Sequence, residues 1–438
     1  MAEIHPFRAL RYNPSRVSLP DVVTQPYDKI TPEMRERYYA ASPANLVRII
    51  LGKPEPGDTE RNNVYTRAAG YFSDWRRGLI FCQDDQPSFY VYAQRFTAPG
   101  TSGGEYERRG FIGAGKLEEY SAGVVFRHET TFSGPKTDRL NLLRATRAHF
   151  GQLFMLYDDP QGVADSLLTA ATAMLPPVID VNDEYGVQHR VWQVWQPEVI
   201  RQVQQAMAGK RLIIADGHHR YETALNYRNE MRQRAGEHSS PDAPFERVMM
   251  TFVNMAAEGL LILPTHRVLA GVPGFDIAPL IERARQFFQV NPLRERVDAA
   301  SAARLLQQAG AAGTALVAVT APGDFILQAR PEADRAPGLA GLSPRQRQLD
   351  VCKLHKILLE DVLKISEADI RDQTCINYVR DAGEAIARVR QGANVAFLMN
   401  PVPIGQVREV AFAGEVLPQK STDFYPKLLS GLTVYALE

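Results

Sequence analysis

The chain has 438 residues, 45% of them hydrophobic, with 50 Lys plus Arg set against 50 Asp plus Glu. That length exceeds one ordinary core and predicts two or three domains, while the zero formal net charge removes any global pull toward nucleic acid or anionic membranes. No window approaches about 18 consecutive apolar residues and no charged stretch leads into an apolar run at the start, so the expected location is the cytoplasm, without membrane contact. Cys82, Cys352 and Cys375 are odd in number and far apart, which excludes a zinc ribbon or a disulfide framework.

In chain order, the first polar cluster is Gln25-Pro26-Tyr27-Asp28, a turn-like segment in which Tyr27 and Asp28 are candidate substrate contacts. Residues 89–96 and 106–113 are rich in aromatic and β-branched side chains and predict paired antiparallel strands around a hairpin tip at 98–104. The glycines and lysine of Gly110-Phe-Ile-Gly-Ala-Gly115-Lys116-Leu117 approximate a Walker A loop. Leu117, however, stands where a hydroxyl would hold magnesium, and the segment reads as strand, so the likeness is coincidental.

After the apolar run 123–126, His128 and Glu129 leave a strand end, and Lys136 and Arg139 follow near a helix expected over 139–153. Cations at a helix start oppose its dipole, an arrangement that makes sense when an anion sits between them. Glu129 beside His128 has the chemistry of a general base, whereas a plain solvated loop is the structural alternative.

The most informative segment is 211–222, Arg-Leu-Ile-Ile-Ala-Asp-Gly-His-His-Arg-Tyr-Glu. It predicts a short strand at 212–215, a turn at Asp216-Gly217 and a helix from Tyr221, which crowds Asp216, His218, His219 and Arg220 at a helix N-terminus. Unpaired amides there bind anions, and Gly217 lets a ligand approach the backbone. The structural alternative makes Asp216 an N-cap and leaves one histidine packed, but four adjacent functional side chains exceed what capping requires.

Further helices are predicted at 198–207, 277–288, 299–309, 349–363 and 382–391, and strands at 247–254, 314–320, 324–329 and 395–399. Thr265-His266-Arg267 follows the apolar run 260–263, and Asn400 follows the strand at 395–399, where ligand sites of open α/β sheets tend to lie. His266, Arg267 and Asn400 are therefore candidate substrate residues, while His355 reads as a packed core histidine. Residues 418–427 place Lys420, Ser421 and Thr422 in a loop suited to phosphate. The mixture of strands and helices, without repeats, predicts an α/β or α+β enzyme-like chain divided at 1–185, 186–270 and 271–438.

Residues 215–224, together with Gln25-Pro-Tyr-Asp28, His128-Glu129, Lys136, Arg139, Thr265-His-Arg267, Asn400-Pro401 and 420–426, make the chain similar to the domain-of-unknown-function family 1015. The Asp-Gly-His-His-Arg core also resembles the ParB/sulfiredoxin superfamily, including its free-serine kinase branch, whose strand-turn-helix holds nucleotide phosphates. That resemblance implies a nucleotide-binding core flanked by α/β segments. The cysteine of sulfiredoxins is absent from this turn and no DNA-binding helix-turn-helix is apparent, which demotes sulfinate repair and chromosome partitioning.

The expected function is phosphoryl transfer on a small hydroxylated metabolite of serine or phosphoserine type, in the kinase or phosphatase direction; the alternative is a nucleotide sensor without turnover. Phosphate would meet Gly217, His218, His219, Arg220, Lys136, Arg139 and the 420–422 loop, with Glu129, His128, His218 and His219 in the chemistry. Magnesium on Asp216, with a nucleotide or pyrophosphate as donor, completes the expected site.

Overall fold

The protein is described by a computed structural model over residues 2–99, 104–129, 134–238 and 240–438, without the side chains of residues 134, 135 and 237. The expected hairpin tip at 98–104 thus lies partly, and residues 130–133 wholly, outside the described residues. The chain is a mixed α/β fold built on two sheets.

The larger sheet holds nine strands: β1 (Ile4–His5), β2 (Phe89–Thr97), β3 (Glu105–Lys116), β4 (Val125–Phe126), β5 (Leu153–Tyr157), β6 (Ile179–Asn182), β7 (Gln188–Val194), β8 (Leu212–Asp216) and β9 (Arg247–Asn254). Their order is β4-β8-β5-β9-β3-β2-β7-β6, with β1 added to β3. Pairing is parallel for β4 with β8 and for β5 with β9, and antiparallel elsewhere. Every residue of β5 is buried, as are the first four of β8, which is why both read as continuous apolar runs rather than alternating ones. The expected pair 89–96 and 106–113 is present, with Tyr90 opposite Ile112. The Walker-like glycines sit in β3 for packing: a Cβ at Gly110 would strike the Phe252 carbonyl, and one at Gly115 the Met250 sulfur. Lys116 pairs with Glu3 at 2.9 Å.

After β10 (Leu261–Leu263), six strands form a second, wholly antiparallel sheet: β11 (His266–Leu269), β12 (Phe288–Pro292), β13 (Ala315–Thr320), β14 (Asp324–Ala329), β15 (Ile376–Val379) and β16 (Val395–Met399), in the order β12-β14-β13-β16-β11-β15. Residue 185, an expected boundary, lies in the turn between the antiparallel neighbours β6 and β7. A continuous apolar core joins the sheets, with Phe154, Ile213 and Met249 from the first and Leu316, Phe397 and Met399 from the second.

Five helices flank the sheets around the candidate sites: α1 (Gly134–Thr146), α2 (Pro197–Ala208), α3 (His218–Ala235), α4 (Ala299–Gly310) and α5 (Ala382–Arg390). Val203 and Met207 of α2 and Tyr221 and Ala224 of α3 pack on one face of the nine-stranded sheet. Ala302 and Leu306 of α4, with Ile386 and Val389 of α5, cover a face of the smaller sheet. Three expected helices are shorter or different. The one at 139–153 stops at Thr146, Arg147 takes a positive φ of 50°, and the apolar residues that follow enter β5. The one at 277–288 ends at Ala284 so that Phe288 can start β12, and 349–363 becomes a short α-turn (Asp350–Lys353) running into a π-helix (Leu354–Val362). In the first two cases an apolar run compatible with either element was settled by pairing partners distant in sequence.

The C-terminal segment returns to the start of the chain. β17 (Asp423–Tyr425) pairs with β10, Ser430 bridges Thr24, Val434 bridges Leu10, and Tyr435 pairs with His149. This return carries residues 418–427 to the turn between β8 and α3.

Candidate anion-binding site

Gly217 turns the chain from β8 into α3 with φ +97°, a conformation that costs a side chain, and a Cβ there would lie 2.8 Å from a Leu153 methyl. The N-cap of α3 is Gly217, which has no side chain to offer its first turn, and the carboxylate of the preceding Asp216 is turned elsewhere. Its Oδ2 accepts a 2.7 Å bond from Arg220 Nη2, and its Oδ1 lies 3.5 Å from Lys427 Nζ. Arg220 also donates to the Gln152 carbonyl at 2.7 Å. Burial alone would raise the Asp216 carboxyl, but Lys427, Arg220 and Lys29 more than reverse this and hold it well below the usual carboxylate range.

Lys427 Nζ lies 3.1 Å from Asp423 Oδ1, and Asp423 in turn pairs with Arg380. Burial would lower the Lys427 ammonium, yet Asp216 and Asp423 raise it. For Lys29 the balance reverses: burial and then Lys427 and Lys420 lower it, against Asp28 and Asp216. Five cations, Lys29, Arg220, Arg380, Lys420 and Lys427, thus bear on three carboxylates, Asp28, Asp216 and Asp423. The excess is positive and stands at the N-terminal end of an 18-residue helix whose N-cap is Gly217.

The histidines stand beside this cluster and are neutral. His128 is fully buried; its Nδ1–H donates to the Ile214 carbonyl at 2.7 Å, and Nε2 accepts from the Thr422 hydroxyl at 2.7 Å. Its ring centroid is 4.9 Å from that of His218, whose Nε2 accepts the His128 backbone N–H at 3.4 Å. Burial lowers both, and for His218 the neighbouring His128 adds to it. His219, half-buried, is likewise lowered by burial, against Glu222. Glu129 Oε1 accepts the amides of Ser421 at 3.1 Å and Thr422 at 3.2 Å, so this carboxylate fixes the 420–422 loop over the turn.

The remaining expected residues divide. Lys136 pairs with Glu222 on α3, which answers the cation at the start of α1 without a ligand. Arg139 donates to Asp138 and, at 2.7 Å, to the Ile50 carbonyl, and its guanidinium lies 4.1 Å from the Tyr27 ring centroid; it positions Tyr27 rather than facing a phosphate. Asp28 is exposed near Lys29. Ser421 is buried, its hydroxyl donating to the Pro418 carbonyl, and Lys420 is exposed with φ +54°.

Arg267, expected at a substrate, is instead fully buried. It donates to His355 Nε2 at 3.2 Å and to the Lys420 carbonyl at 3.1 Å, and burial pushes its pKa down to about 10. His266 accepts the Met399 amide on Nδ1 at 3.3 Å, and Asn400 donates to the Leu306 carbonyl at 2.9 Å; both line a separate cavity.

Sequence reasoning missed Lys29, Asp423, Lys427, Arg380 and Arg108. The buried Arg108 donates to the Tyr425 carbonyl at 3.1 Å and to the Pro426 carbonyl, clamping the residues that precede Lys427. Lys427 belonged to the loop singled out at 418–427, but nothing local marks it above Lys420.

Magnesium on Asp216 does not fit these residues. Both carboxylate oxygens face cations, and among the described residues no group of three or more His, Cys, Asp or Glu could hold a metal ion. Nor, among the described residues, is any helix long and apolar enough to cross a membrane.

A mixed α/β chain with a cation-rich cluster at a strand-to-helix turn is the class that fold and site define. The chain belongs to the family described as protein of unknown function (DUF1015), whose model matches residues 4–352. A search of the curated proteins finds no match. Among solved structures it is similar to a free serine kinase in complex with AMP, at 13% identity and TM-score 0.33, covering 68% of this chain and 83% of that one. A conserved hypothetical protein from Pyrococcus furiosus matches at 14% identity and TM-score 0.32, covering 68% and 86% of the two chains. SbnI with a C-terminal truncation from Staphylococcus aureus matches at 11% identity and TM-score 0.34, covering 75% and 89%.

Proposed function

We propose that this protein is a phosphoryl-transfer enzyme acting on a small hydroxylated metabolite, serine or phosphoserine first, with residues 186–270 as a ParB/sulfiredoxin-like core that holds the phosphates of a nucleotide or pyrophosphate. The observation that carries the reading is the cation excess around Asp216 at the N-terminal end of α3. A helix N-terminus offers amides and the positive end of its dipole, and surplus lysines and arginine beside it are favourable when a multiply charged anion neutralises them. Phosphoryl transfer asks for positioning and charge stabilisation more than covalent chemistry, which is what Lys29, Lys420, Lys427 and the amides at 217–220 supply. The acceptor hydroxyl's proton goes to Glu129, whose Oε2 takes none of the loop bonds that Oε1 accepts.

The test is calorimetric titration of ATP, ADP and pyrophosphate into wild type, Lys427→Met and Lys29→Met. Wild type binds at least one of these anions, Lys427→Met weakens binding tenfold or more, and Lys29→Met weakens it less. Failure of wild type to bind any of them at millimolar concentration removes the site. Phosphorus NMR of wild type with ATP and serine then reads turnover; binding without product moves the protein to a nucleotide sensor.

A further inference from the structure

A cavity adjoins the Asp216 cluster through Arg380, with a volume of 790 Å³, within the size range of small-molecule sites. It is walled by β10, by α4 and by the turn that joins β15 to α5. Its walls are mainly apolar: Leu261 and Leu263 face it from β10, and Ala303 and Leu306 from α4. Two charged neighbours in sequence, Arg380 and Asp381, line it side by side.

Each of these charges is partly engaged. Arg380 meets Asp423 through Nε, and among the described residues no hydrogen bond occupies its two terminal nitrogens. Asp381 Oδ1 accepts the Glu384 amide at 2.7 Å as the cap of α5, a bond that leaves Oδ2 out. His266 adds a neutral donor: burial pushes its pKa down to about 4, and because Nδ1 accepts from Met399, Nε2 carries the ring proton. Asp350 also lines the cavity, where burial raises its carboxyl and so opposes its charge.

A guanidinium and a carboxylate together at the wall of an apolar cavity match a ligand that brings the opposite pair. We infer that this cavity is a binding site for an amino acid with a large apolar side chain, its carboxylate on Arg380, its ammonium on Asp381 and its side chain between β10 and α4. Arg380 and Asp381 are both exposed at the cavity wall, so a simple fatty carboxylate would meet only Arg380 and an apolar amine only Asp381, whereas a zwitterion gains both contacts. The inference does not depend on phosphoryl transfer.

Calorimetry of the full chain with L-phenylalanine, 3-phenylpropanoate and phenethylamine tests it. Phenylalanine binds, and each analogue, lacking one charge, binds at least tenfold more weakly. Ala303→Trp fills the cavity from an exposed helical position, so it abolishes phenylalanine binding while the melting temperature stays within a few degrees of wild type. Arg380→Gln removes the preference for phenylalanine over phenethylamine but keeps its preference over 3-phenylpropanoate. No heat from millimolar phenylalanine, equal binding of the three compounds, or wild-type binding by Ala303→Trp overturns the assignment, whatever the outcome at Asp216.

Discussion

Glu129 uses its carboxylate oxygens unequally, and that asymmetry makes its two roles separable. Oε1 accepts the Ser421 and Thr422 amides and so holds the loop, while proton acceptance in the proposed reaction falls to Oε2. In Glu129→Gln the amide oxygen can replace Oε1 and the NH2 group takes the place of Oε2. The loop then stays, and the base is lost. Turnover should fall by about 10²–10⁴ with pyrophosphate affinity and melting temperature close to wild type. Full activity in this variant takes Glu129 out of proton transfer. A joint collapse of affinity and melting temperature would make it a loop anchor and nothing more.

At the scale of elements, the site depends on one C-terminal segment clamped at both ends by buried arginines, Arg267 on the Lys420 carbonyl and Arg108 on the Tyr425 and Pro426 carbonyls. Arg267→Met keeps much of the side-chain volume and removes the donors, so the Lys420 carbonyl loses a partner and the 418–422 loop loosens. Hydrogen exchange at 418–422 should accelerate by tenfold or more and pyrophosphate affinity should fall, although Arg267 touches no phosphate. Unchanged exchange there would mean that Glu129 alone secures the loop. The same long-range clamps explain what the sequence could and could not reveal. The turn at Asp216–Arg220 was legible because strand, glycine and helix are adjacent in sequence. His128 and His218, expected in one site on their chemistry, do meet. Lys29 and Lys427 were not legible, because their proximity to Asp216 exists only after the C-terminal segment has paired with residues 10, 24 and 148–149. The helix expected through 153 failed for a related reason: Leu153–Tyr157 is apolar on both faces because it is an interior strand, a pattern that local periodicity cannot tell from a buried helix.

Over the whole molecule, buried neutral histidines set the response to acid. Of the nine histidines, His128, His149, His189, His218, His219, His266 and His355 are all lowered, burial being the largest cause for each, and His149 and His266 reach about 4. In the unfolded chain these rings titrate near 6.5, so between about 6.5 and 4 the unfolded state binds more protons than the folded one. Stability therefore is full above that window and falls as pH drops through it; His266 alone, almost fully buried, accounts for about 3 kcal/mol at the bottom of the range. Asp216 and Asp423, held ionised by Lys427 and its neighbouring cations, act at lower pH and in the same direction, because protonating them discards those pairs. The core that runs through both sheets carries His-bearing strands of each, so the loss should register as one weakening of the whole fold. Urea midpoints measured at pH 8.5, 7.5, 6.5, 5.5 and 4.5 should be nearly level between the first two and then decline with a slope exceeding one proton per molecule. His266→Asn, whose side-chain oxygen can still accept the Met399 amide, should reduce that slope by up to one proton. Midpoints that stay flat to pH 4.5 would mean that these rings accept protons in the folded state as readily as in the unfolded chain, which their burial forbids.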